Sequence, residues 1–66
     1  MYKAGDQFYL NRNEAPWEIT AIEGINDTGE YQYKIKRGDE EKTISESVLF
    51  NYEKEGFKLD PNTQIK

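Results

Sequence analysis

Apolar and polar residues alternate over short segments of the chain, and turn-forming residues separate these segments. In residues 7–12, Phe8 and Leu10 fall on one face and polar side chains fall on the other. Because successive side chains of a strand point to opposite faces, a period of two predicts half-buried antiparallel strands. No long segment has apolar residues at helical spacing, so we expect an all-β domain whose first strand is 7–12.

The second predicted strand, residues 17–25, has an alternation that breaks. Trp17 and Ile19 share one face, whereas Ile22 and Ile25 fall out of phase with them. A bulge or sharp bend near residues 21–23 would restore the phase, and such bends allow a small sheet to curl. The break therefore predicts a curved sheet.

The third predicted strand has the most regular alternation, with three core-facing side chains: Tyr31, Tyr33 and Ile35. The loop before it, residues 26–29, is a hairpin in which Gly29 supplies a positive φ. Residues 37–41 form a second hairpin turn. A short fourth strand follows at residues 42–44.

A single helical turn is predicted at residues 46–50, with Ser45 as its cap. One turn is too short to be stable without packing. We therefore expect three of its side chains to point inward: Val48, Leu49 and Phe50. Residues 56–59 are the last predicted strand, and 61–66 a flexible tail.

Five strands with one short helical turn before the last strand are the order of a small SH3-like barrel. The chain also resembles short SH3-like proteins of Gram-positive bacteria and their phages. The likeness lies in residues 2–8, in Trp17-Glu18-Ile19, in the tyrosine-rich third strand and in residues 44–49. It implies one barrel domain, residues 1–60, that binds other macromolecules. Residues 7–11 lack the Ala-Leu-Tyr-Asp-Tyr-type run of peptide-binding SH3 domains, which argues against polyproline recognition.

The chain lacks both cysteine and histidine. Disulfides, thiolate metal sites, the commonest proton shuttle and most activated nucleophiles are therefore excluded. Ser45 and Ser47 have no evident base beside them. Three carboxylate pairs fall in loops or on polar faces, where we expect solvated charge: Glu14/Glu18, Glu40/Glu41 and Glu53/Glu55. We predict no enzymatic activity, no cofactor and no metal.

The net charge of −4 opposes the phosphate attraction on which most nucleic-acid binding depends. No apolar run approaches the length of a membrane span, and the first residues lack the apolar core of a signal peptide. We expect a cytoplasmic protein without a membrane partner.

The nine aromatic residues are more than a 66-residue barrel easily buries. By phase, five are core candidates: Phe8, Tyr31, Tyr33, Phe50 and Phe57. Four others are predicted to be partly exposed and to form a partner-binding surface: Tyr2, Tyr9, Trp17 and Tyr52. Tyrosine and tryptophan are enriched at binding hot spots, but they also serve as half-buried cover of small cores. Both interpretations stay open.

These observations favour a protein-interaction module, such as an accessory protein of a phage or mobile element that binds a host protein. One alternative is an acidic DNA mimic that inhibits a host nuclease or repair enzyme. A second alternative is a nucleic-acid-binding barrel with a basic strip formed by Lys34, Lys36 and Arg37. Homodimerisation also stays open, because an exposed strand edge can pair with a second copy.

Overall fold

The computed structural model describes residues 2–59, which form a four-stranded antiparallel sheet and one short helix. The elements are β1 (Gln7–Phe8), β2 (Trp17–Ile25), β3 (Tyr31–Arg37), β4 (Glu40–Ser45) and α1 (Glu46–Lys54). The strands are adjacent in chain order, β1-β2-β3-β4. The prediction of a mostly β fold is confirmed. The predicted tail, 61–66, lies outside the described residues.

β2 has the predicted bounds, and it carries two register shifts where one bulge or bend near residues 21–23 was predicted. Its register against β3 shifts between Ile19 and Ala21, and again between Ile22 and Gly24. Each shift leaves one extra residue on β2, which bends the strand and increases its twist. The two shifts return Ile22 and Ile25 to the face that carries the core side chains of β3. These two extra residues explain why the apolar residues of β2 do not alternate regularly in the sequence.

β1 is shorter than predicted and β4 is longer. The chain leaves β1 after Phe8 because Asn11 organises a turn: its side chain accepts the N–H of Asn13 at 2.9 Å, and its carbonyl accepts the N–H of Glu14 at 3.0 Å. The turn after β3 holds only two residues, with Gly38 at φ 58°, so β4 already begins at Glu40.

α1 is a nine-residue helix rather than the single predicted turn. Ser45 occupies the N-cap position, but its side chain makes no capping hydrogen bond. Instead, a carboxylate oxygen of Glu30 accepts the backbone N–H of Ser47 at 3.2 Å. The prediction that Val48 and Phe50 point inward is wrong, and Leu49 is the buried residue of the helix.

The segment after α1 returns to β1. Phe8 and Lys58 form an isolated antiparallel bridge. The N–H of Tyr9 donates to the carbonyl of Phe57, and the N–H of Leu59 donates to the carbonyl of Gln7, both at 2.9 Å. The predicted last strand is thus present as this single bridge.

Among the described residues, seven side chains form the core, and all belong to the sheet, the helix or the N-terminal segment: Tyr2, Phe8, Trp17, Ile19, Tyr33, Ile35 and Leu49. Tyr31 and Phe57 are partly buried. Phe50, predicted to be in the core, is 51% exposed. Full burial of a large apolar side chain contributes roughly 1.5–3 kcal/mol, so this small core is the main source of stability.

No helix within residues 2–59 has the length and apolar character needed to cross a membrane.

Candidate functional site

Tyr2, predicted to be partly exposed, is a core residue with 8% exposure. Its ring packs edge-on against Phe8 at 5.3 Å and against Tyr33 at 5.8 Å between ring centroids. Its backbone N–H donates to the Tyr33 hydroxyl at 3.1 Å, and its own hydroxyl donates to Glu53 at 2.6 Å. The residue therefore joins the N-terminal segment to both the sheet and α1, and its ring is not open to a partner.

Trp17 is also buried, at 6% exposure, but long charged side chains cover it. The Arg37 guanidinium lies 4.8 Å from the centroid of the Trp17 ring, and the Lys42 ammonium lies at 4.9 Å. Arg37 is held by ion pairs to Glu14 and Glu40. Both contacts are cation–π interactions, and the two ion pairs hold the Arg37 guanidinium in place. The predicted exposure of Trp17 is wrong.

Tyr9 and Tyr52 are half-buried. Tyr52 packs against the core and against Phe57, with 5.8 Å between ring centroids. The structure brings Tyr52 and Trp17 to the same groove, whereas Tyr2 lines a different one. The four aromatic residues therefore do not converge on one surface.

Ile22 and Ile25 are large apolar residues that remain exposed, at 46% and 61%. They lie opposite Tyr33 and Tyr31 in the β2–β3 register, so they share the core face of the sheet. Other residues cover only part of this face. Near the turn between β2 and β3 the face is uncovered, and both isoleucines are exposed there.

Phe50 and Val48 are the exposed apolar residues of α1, at 51% and 39%. Successive helix positions are about 100° apart, so these two residues lie on opposite flanks of the buried Leu49. Val48 lines a small groove with Tyr52 and Phe57. Phe50 lines a larger groove on the other flank. The same spacing of about 100° within the predicted turn, residues 46–50, is the signal that could have shown that Val48, Leu49 and Phe50 do not all point inward.

The larger groove, here called the α1 groove, runs between α1 and the N-terminal segment and has a volume of about 800 Å³. Two aromatic residues, Tyr2 and Phe50, are among those that line it. Four carboxylates surround them: Asp6, Glu30, Glu46 and Glu53. Lys3 and Lys58 also line the groove.

Three of these carboxylates accept hydrogen bonds from neutral donors. Asp6 accepts the N–H of Lys3 at 3.1 Å, Glu30 accepts the N–H of Ser47, and Glu53 accepts the hydroxyl of Tyr2. Neutral donors orient a carboxylate without cancelling its charge. Elsewhere in the molecule, Glu14, Glu23 and Glu40 form ion pairs with Arg37 and Lys34.

The pKa values of two neighbouring tyrosines, Tyr2 and Tyr33, are raised. Burial, the hydrogen bond to Glu53 and the charges of Glu53 and Glu46 hold the pKa of Tyr2 well above its ordinary value. Burial also raises the pKa of Tyr33, an effect reinforced by Glu46 and opposed by the hydrogen bond from Tyr2. Both hydroxyls stay protonated, and the negative potential of the groove contributes to this.

The predicted basic strip is largely engaged in ion pairs. Lys34 pairs with Glu23 at 3.5 Å, and Arg37 pairs with Glu14 and Glu40, whose hydrogen bonds raise the pKa of its guanidinium further. Within the described part of the chain, no three acidic side chains converge as a metal site would require.

Comparisons with protein-family models, with curated proteins and with solved structures find no match to this chain.

Proposed function

We propose that the protein is a non-enzymatic protein-interaction module. One observation carries the proposal: within residues 2–59, four large apolar side chains remain exposed although the core holds only seven residues. Ile22 and Ile25 adjoin on one sheet face and form an apolar cluster, whereas Phe50 and Val48 line separate grooves on the two flanks of α1. Clustered exposed apolar residues are a mark of interaction sites.

We further propose that the fold is a small SH3-like barrel. Support comes from the four-stranded meander, from the helix directly after β4, and from the return of residues 57–59 alongside β1. The resemblance of the sequence to short proteins of Gram-positive bacteria and their phages supports a role as an accessory protein that binds a host protein.

The two alternatives have less support. A nucleic-acid-binding barrel needs unpaired cations, and two of the three residues of its basic strip, Lys34 and Arg37, are in ion pairs. A DNA mimic needs a row of uncompensated carboxylates, whereas Glu14, Glu23 and Glu40 are neutralised by neighbouring cations.

Photo-cross-linking in cells of the source organism tests the interaction function. A photoreactive phenylalanine analogue is placed singly at position 50 or 25, and at position 43 as a control on the exposed outer part of β4. We expect a single stoichiometric partner to cross-link at position 50 or 25 and not at 43. Absence of any stoichiometric partner across several growth states, at all three positions, would end the proposal.

A further inference from the structure

We draw no further inference here: the strongest candidate, the apolar patch that Ile22 and Ile25 form on the core face of the sheet near the turn between β2 and β3, carries none because nothing within residues 2–59 shows what covers it.

Discussion

Removal of the Tyr2 hydroxyl tests how the N-terminal segment is held against α1. Tyr2→Phe keeps the ring between Phe8 and Tyr33, and it deletes only the hydrogen bond to Glu53. Glu53 is exposed and regains water, so no buried acceptor is left without a partner. The substitution therefore isolates one short hydrogen bond to a carboxylate.

The expected loss is about 1 kcal/mol of unfolding free energy. Hydrogen bonds to charged groups contribute about 1.5–3 kcal/mol, and the exposure of Glu53 reduces this range toward its lower end or below. A chain of this length has a total stability of about 3–10 kcal/mol, so the loss is measurable. Tyr2→Ala also removes the ring and should cost about 3–5 kcal/mol, as for other buried aromatic residues.

Burial of Tyr2, together with its hydrogen bond to Glu53, makes stability depend on pH in the alkaline range. The folded-state pKa of Tyr2 lies above that of the unfolded chain, which is about 10. Above that pH the unfolded chain loses a proton that the folded chain retains, so the stabilisation is complete below about pH 10 and declines as the pH rises further. The decline is at most about 1.4 kcal/mol per pH unit for each such tyrosine.

Urea unfolding followed by circular dichroism measures both effects, at about pH 8 and about pH 11, on either side of the ordinary tyrosine pKa. We expect Tyr2→Phe to lower the midpoint at pH 8 and to lose less additional stability than the wild type at pH 11, because Tyr33 alone then contributes. A variant with the wild-type midpoint and the wild-type pH dependence would refute the structural role assigned to this hydroxyl.

Three further predictions concern the core, the bulge and the cover of the tryptophan. Leu49→Ala should cost about 2–5 kcal/mol in urea unfolding, against less than about 1 kcal/mol for the exposed Val48→Ala, and similar losses would contradict the assignment of Leu49 to the core. Gly24→Ala should cost about 1–3 kcal/mol from backbone strain alone, since φ is 131° and an added methyl group meets open space; a neutral effect would argue against the bulge. Arg37→Ala should shift the fluorescence of Trp17 to the red and increase its quenching by acrylamide, and unchanged spectra would show that Arg37 is not its cover.

The strands could be predicted where apolar and polar residues alternate within a short segment of the sequence. The bounds of β2 and the presence of a bulge near residues 21–23 follow from the phase of its apolar residues, but the second register shift of the strand does not. The length of α1 did not follow, because Leu49 is its only buried side chain and one buried residue creates no helical period. The bounds of β1 were missed because a side-chain turn at its end has no signature in the apolar pattern.

The candidate site was harder to predict because contacts distant in sequence decide which aromatic residues are covered. Tyr2 is buried through contacts with Tyr33 and Glu53, which lie 31 and 51 positions further along the chain. Trp17 is covered by the long side chains of Arg37 and Lys42, which a sequence pattern classifies as solvated charge. The exposed aromatic ring is instead that of Phe50, which lies on one flank of α1 beside the buried Leu49.

Photo-cross-linking from positions 50 and 25, with position 43 as the control, tests the proposed interaction function most directly. If the exposed apolar residues are contact surfaces, one stoichiometric partner cross-links from position 50 or 25 and not from position 43. Cross-linking of the same partner with equal yield from all three positions, or of no stoichiometric partner from any of them, would contradict the proposal.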